Sequence, residues 1–305
     1  LVAYGARLES ELGESPQGFK SPILRAKEDP RLSGVFSFNA RESTMKIGFL
    51  GVGTVSTAVI EAMASRGGKQ ETIYLSPRGE SRSLELAAKF EHCIRLESNQ
   101  AVIDARDMVV ISMLPNQVDD ALADLTFRKD QIIASFIAGT PPSGIAKLTA
   151  PATQVSQLIP LPAIVHHKGP LVICPSHPDV VREFAGLGDI VIMEDETKIR
   201  ILSITSAVMS TYFTIQNTVM KWTEDNGIDH DTASQYVRSL LEGLAIEGQA
   251  ATDAEIPHLP VEHETPGGLN FRNRTGLEQD GWFDALYNRL QDTYSNANLK
   301  AKSSE

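Results

Sequence analysis

Short apolar runs separated by amphipathic stretches recur from Met45 to about residue 195, and longer helical patterns then take over. The first run, 46–50, has the unbroken hydrophobicity of a strand buried on both faces. Gly51-Val52-Gly53 follows at once, and then a helical stretch over 55–63 with Ala58, Val59 and Ala62 on one side. Further strands are predicted at 72–75, 108–113, 131–138, 155–159, 171–174 and 190–193, with a helix over 83–90. Strands alternating with helices imply βαβ units, so residues 45–195 are predicted to form an α/β domain. Its expected architecture is a doubly wound, Rossmann-type parallel sheet, with ligands at the carboxyl ends of the strands.

The pattern changes beyond Glu194. Residues 197–226 contain neither proline nor glycine, and Ile199, Leu202, Val208, Met209, Tyr212, Phe213, Ile215, Val219, Met220 and Trp222 crowd nearly every face. This predicts one helix buried almost all round, about 45 Å long at 1.5 Å per residue. A second amphipathic helix is predicted over 231–252, capped by Asp229 or Asp231. Cover for such helices comes either from an identical chain, making residues 196–295 an all-α dimerisation domain of a symmetric homodimer, or from within the chain. Residues 296–305 read as a flexible tail.

Composition narrows the classes. Of 305 residues, 42% are hydrophobic and 22% charged, as in globular proteins. Acidic residues outnumber basic ones 39 to 28, a net charge of −11, which argues against a nucleic-acid partner. No apolar run approaches the roughly 18 residues of a membrane span. Two cysteines without metal-ligand spacing, Cys93 and Cys174, fit a reducing, cytoplasmic setting. Residues 1–44 carry six basic and six acidic residues and no sustained period. They are expected to be a disordered or loosely attached leader, with Met45 as the start of the folded chain.

The glycine cluster carries the clearest chemistry. Strand, glycine turn and helix are the context that makes GxG a dinucleotide site. Gly51 permits the tight turn, and Gly53 lets a pyrophosphate approach the backbone at the helix N-terminus, beside Thr54 and Val55. Ser56 takes the third small position. Met113-Leu114-Pro115 (after Ser112) and Ala138-Gly139 (before Thr140) are expected to wall the cofactor. At the end of the second strand, a site for NAD(H) places a carboxylate on the ribose hydroxyls. This chain has Ser76 and Arg78, then Ser81 and Arg82, with Glu80 somewhat late. An arginine fork suits a 2′-phosphate, so NADP(H) is preferred over NAD(H). Further on, Thr265-Pro266-Gly267-Gly268 feeds a helix starting near Leu269 and is expected to offer free N–H groups to a carboxylate.

MKIGFLGVGTVSTAVIEAM, ISMLPNQ, IASFIAG and TPGGLN…GLEQDGWFDALYNRL, in that order, resemble pyrroline-5-carboxylate reductase over about residues 45–292. The resemblance implies a Rossmann domain, a helical dimerisation domain, and NADPH reducing a cyclic imine that carries a carboxylate. It implies a substrate site at Thr211, Thr265, Gly267, Gly268, Leu269 and Asn270. Three departures fall around that substrate. Ile159-Pro160-Leu161-Pro162 replaces the family's longer polar segment after the sixth strand. Ala207-Val208-Met209-Ser210-Thr211 replaces its glycine-bearing segment early in the long helix. Leu269 and Asn270 stand where the family has a small residue and a threonine. The departures favour another carboxylated imine or carbonyl compound over proline biosynthesis.

Asn270 can donate a hydrogen bond but is no acid. His166, beside His167 and Lys168, sits on a loop expected to reach the hydride-accepting end, where an imidazole is a plausible acid. His258, Glu262, His263 and Glu264 precede the Pro-Gly-Gly turn with spacing too irregular for a metal site. Ser210 and Asn217 are further candidates for the pocket. The alternatives are a catalytically silent, dimeric NADP(H) sensor and a hydroxyacid-type dehydrogenase. The latter would need a lysine in the long helix, where Lys221 comes late.

Overall fold

The computed structural model describes residues 45–66, 72–104 and 106–302, with side chains to residue 296. The predicted leader, 1–44, lies outside the described residues, as do 303–305. The strands are β1 (Ile47–Leu50), β2 (Ile73–Leu75), β3 (Cys93–Arg95), β4 (Met108–Ile111), β5 (Ile132–Ser135), β6 (Gln154–Pro160), β7 (Pro170–Cys174) and β8 (Asp189–Ile192). They form one sheet in the order β3-β2-β1-β4-β5-β6-β7-β8. The order reverses at β1, which pairs with β2 on one side and β4 on the other. Between the strands run α1 (Thr54–Ser65), α2 (Glu80–Lys89), α3 (Asn99–Asp104), α4 (Val118–Leu122), α5 (Pro142–Leu148) and α6 (Pro178–Phe184).

Strand alternation sorts the core into two layers. Ile47, Phe49, Met108, Val110, Ile132 and Ala134 face one way and pack with Val59, Ile60 and Met63 of α1 and Val180 and Phe184 of α6. Leu50, Val109, Ile111 and Ile133 face the other way, against Val102 and Ile103 of α3, Val118 and Leu122 of α4 and Ile145 of α5. Helices on both faces explain why β1, β4 and β5 are buried at every position rather than every second one. The expected α/β architecture is therefore the observed one: a Rossmann-like sheet followed by a helical region.

The sheet departs from all-parallel at one junction, where β6 and β7 are antiparallel. Nine residues, Leu161 to Gly169, join them, too few for the crossover that parallel neighbours need. The predicted helix over 197–226 is two: α7 (Ile199–Thr205) and α8 (Val208–Asp225). Three successive hydroxyls turn back on the chain at the break. Ser203 Oγ donates to Ile199 O, Thr205 Oγ1 to Ile201 O, and Ser206 Oγ to Ser203 O at 2.6 Å. Such back-bonding competes with the helix ladder, and Ala207 instead closes a tighter turn onto Ile204 O.

Beyond lie α9 (His230–Ala250), α10 (Leu259–Glu262), α11 (Leu269–Gln279) and α12 (Trp282–Lys302). Asp229 is the cap of α9, its carboxylate accepting from Thr232 N–H. The backbone is helical to Lys302, past the residue at which the sequence places a tail. Among the described residues, 45–217 with 275–302 form one compact unit and 218–274 another, the division falling within α8.

Candidate functional site

In the larger unit, three loops meet backbone to backbone at the carboxyl edge of the sheet. Gly51 sits at φ 92°, and a Cβ there would lie 2.1 Å from the Ser112 carbonyl oxygen. Its N–H donates to Ser76 Oγ at 2.9 Å. Gly79, at φ 82°, has room for no side chain either, since a Cβ would stand 2.6 Å from Val52 O. The loops after β1, β2 and β4 are thus fastened together by two glycines and one buried hydroxyl. Ser76 is fully buried, so it holds the turn rather than facing outward as the sequence expects of it.

Gly53 is different. It is the cap residue of α1 with ordinary extended backbone, φ −95° and ψ −172°, and a Cβ on it would meet nothing within 4 Å. Its N–H donates to Ser56 Oγ at 2.7 Å, and that hydroxyl lies 3.2 Å from Gly53 O. The third small position therefore does capping work, and Ser56 is fully buried doing it. The N–H groups of Thr54 and Val55, the first in α1, have no carbonyl partner inside the helix. Around this open backbone, Met113 is half-buried and Leu114 is 61% exposed. Pro115 begins a 3-10 turn, and Ala138 and Gly139 are exposed, with Gly139 at φ 81°.

Arg78 is exposed and has no partner among the described residues. Beneath its loop lies a guanidinium that sequence reading missed. Arg95, the last residue of β3, donates from Nε to Ser83 Oγ at 3.1 Å and reaches Pro77 O at 3.5 Å. Only the pairing of Leu75 with Arg95 across β2 and β3 brings it there, and a three-residue strand left no periodic signal.

The structure does not bring the histidine pair to the glycine turn. The 3-10 turn Pro162–His166 packs along α1. The next residue, His167, lies with Nδ1 3.0 Å from Gly186 O and Nε2 3.4 Å from Ser65 Oγ. Ser65 ends α1, ~18 Å along the axis from its Gly53 end. His166 and Lys168 are exposed beside it. Thr211 is half-buried in α8, and Ser210 and Asn217 are exposed.

In the smaller unit, the Pro-Gly-Gly turn closes on itself. Gly267 has φ 69°, and Gly268 N–H donates to Thr265 O at 2.8 Å, so that donor is already used. Leu269 is 86% exposed. Asn270 Nδ2 donates to His263 O at 2.7 Å, which ties the start of α11 to the segment before the turn. Glu264 pairs with Arg274 through two hydrogen bonds, and these hold its carboxyl below the usual range. His263 binds Leu259 O through Nδ1 and Glu247 through Nε2, both at 2.8 Å. With these partners engaged, the acidic and imidazole groups before the turn brace it.

The His263 pKa is raised above its ordinary 6.5, first by the Leu259 carbonyl and then by Glu247. A raised folded value means that the contribution is complete below 6.5 and disappears as pH climbs through the raised value. Amide exchange over 259–270, corrected for intrinsic rates, is expected to lose protection as pH rises through the raised His263 value. In His263→Gln that pH dependence should vanish; its persistence would show that the brace lies elsewhere.

Comparison with known proteins finds similarity to oxidoreductases. Residues 46–139 match the family described as NADP oxidoreductase, coenzyme F420-dependent. The pyrroline-5-carboxylate reductase of Pseudomonas aeruginosa is 25% identical over 257 residues, 80% of this chain and 92% of that protein. Over most of its length the chain is similar to the pyrroline-5-carboxylate reductases, at low identity. Solved structures share the fold of these oxidoreductases throughout. The 1-pyrroline-5-carboxylate reductase of Streptococcus pyogenes superposes with a TM-score of 0.72 at 19% identity, covering 84% of this chain and 99% of that one. The Plasmodium falciparum pyrroline carboxylate reductase, solved with NADP bound, gives 0.71 at 16%, covering 83% and 97%. In this pyrroline-5-carboxylate reductase-like chain the interlocked glycine loops belong to the segment that the family match covers.

Proposed function

We propose that the chain is an NADP(H)-dependent reductase that delivers hydride to a small carboxylated cyclic imine or a related carbonyl compound. The observation that carries this is the open, donor-bearing backbone at Gly53, set where the strand order reverses, with the exposed Arg78 on the loop after β2. The residues fit a dinucleotide. The N–H groups of Thr54 and Val55 suit its pyrophosphate, Gly51 and Ser76 hold the turn beneath it, and Arg78 suits a 2′-phosphate. Met113, Leu114, Pro115, Ala138 and Gly139 wall the remainder. The NADP held by the Plasmodium relative supports this assignment.

When bound, the cofactor supplies hydride, and an imine nitrogen then needs a proton. We assign substrate contacts to Thr211, Thr265, Gly267, Gly268, Leu269 and Asn270. Asn270 orients rather than protonates, having no acidic proton and one amide hydrogen already given to His263 O. His166 leaves the set of proton donors, because its turn runs toward the far end of α1.

The working form is a homodimer joined through α8 and α9. Tyr212, Phe213, Leu240 and Ile246 are exposed on these helices, and Trp222 and Tyr236 are each 67% exposed. Apolar side chains exposed in this number need cover, and a second copy presents the same ones in a symmetric pair. Both cysteines are buried and free, and burial pushes the Cys93 thiol up to about 11, which removes it as a nucleophile. Among the described residues no helix is long and apolar enough to cross a membrane.

The test has two arms. Sedimentation equilibrium should give twice the chain mass, and Trp222→Glu with Tyr236→Glu should halve it. A panel of cyclic imino acids and 2-oxo acids, followed by loss of NADPH absorbance, should find one turned over at about 1–10³ per second. Tight NADPH binding with no turnover across the panel would favour the silent sensor instead, a reading supported by the turn whose Gly268 donor is already committed.

A further inference from the structure

We propose that Arg95 is a specificity-determining residue for the nucleotide's 2′-phosphate, acting by positioning the loop after β2 and by cancelling the one carboxylate that loop carries. The inference rests on the nucleotide reading above and deepens it. Between Ser76 and Arg82 the only acidic residue is Glu80, the first residue of α2. A carboxylate in this region is the feature that favours a bare ribose over a phosphorylated one. Arg95 disarms it. Its guanidinium lies 3.8 Å from the Glu80 carboxylate, while Nε donates to Ser83 Oγ and a terminal nitrogen reaches Pro77 O. Ser83 Oγ is 3.1 Å from Glu80 O, so the guanidinium, the loop and the first turn of α2 form one connected unit.

Two consequences follow for a phosphate held near Arg78. The loop from Pro77 to Gly79 is held at Pro77 by Arg95 and passes at Gly79 so close to Val52 O that no Cβ would fit. Arg78 therefore projects from a backbone held at both ends, which lowers the ordering cost of gripping a ligand. The local charge also rises. Arg78 and Arg82 against Glu80 leave one positive charge, and Arg95 makes it two. The Arg95–Glu80 pair adds little to stability, because the Glu80 side chain is 76% exposed. Its effect is expected in discrimination between nucleotides.

Calorimetric titration of NADPH and NADH into the full-length protein tests this. Wild type should prefer NADPH, and Arg95→Gln should weaken NADPH about tenfold, the size of one lost charge-assisted contact, while NADH changes less than about twofold. Adding Glu80→Gln to Arg95→Gln should recover part of the loss, and Arg95→Lys, which keeps charge without the fork, should fall between. Equal weakening of both nucleotides would mark a purely structural residue and overturn the assignment, as would an NADPH-to-NADH affinity ratio left unchanged by Arg95→Gln. If Arg95→Gln does not fold, exposed Glu80→Lys gives the same answer: it should raise the NADPH preference, and an unchanged ratio overturns the assignment. Wild type that binds neither nucleotide brings down the nucleotide reading, and this inference with it.

Discussion

Gly51→Ala is expected to destabilise the larger unit by at least about 3 kcal/mol, or to abolish soluble expression. Two independent costs add. At φ 92° an alanine pays about 1–2 kcal/mol in backbone strain alone. The new methyl would then stand 2.1 Å from the Ser112 carbonyl oxygen, and a backbone carbonyl has no rotamer with which to yield. Relief requires the loops after β1 and β4 to part, which also breaks the bond from Gly51 N–H to buried Ser76 Oγ. Against a total stability of about 5–15 kcal/mol this is a large fraction. In a thermal melt it corresponds to a fall of about 6–12 °C. Gly53→Ala is the control: its backbone angles suit any residue and its side chain would enter open space, so its midpoint should stay close to wild type. A Gly51→Ala protein melting within about 2 °C of wild type would show that the interlock of the three loops is not rigid.

Much of this architecture is written in local pattern, and what is not depends on pairing across the sheet. β1 and β4 are apolar at every position, and β5 at all but its last, Ser135, because helices cover both faces, and that alone predicts a doubly wound sheet. The glycine turn is legible because Gly51 and Gly53 stand between a strand and a helix. β3 is not, since Cys-Ile-Arg is too short to show a period, and with it Arg95 escapes notice some 17 residues from the loop that it fastens. The antiparallel junction could have been read from the nine residues between β6 and β7, too few for a crossover. The break between α7 and α8 was hidden by residues that are apolar on both sides of it. Its cause is the run of Ser203, Thr205 and Ser206 hydroxyls, which a hydrophobic template ignores. Ser76 shows the limit most plainly: a serine after β2 reads as a phosphate contact, and only the fold reveals that its hydroxyl is taken by Gly51.

Gly53→Glu is expected to leave the fold standing and remove nucleotide binding by a factor of 100 or more, on the order of 3 kcal/mol. Stability should change by less than about 1 kcal/mol, since a carboxylate at a helix N-terminus interacts favourably with the helix dipole. The extended backbone at Gly53 accepts any side chain, and the bond from its N–H to Ser56 Oγ does not involve the new atoms. Binding suffers for the same reason that stability does not. The carboxylate occupies the space where a Cβ now meets nothing, satisfies the N–H groups of Thr54 and Val55 itself, and repels a second anion. Titration of NADPH with fluorescence detection, beside a melt of the same preparation, separates the two effects. A variant that melts like wild type and still binds NADPH within about tenfold would mean that the pyrophosphate lies somewhere other than over α1. The assignment of Arg78 to the 2′-phosphate would then fall too, because it depends on a nucleotide anchored at that helix.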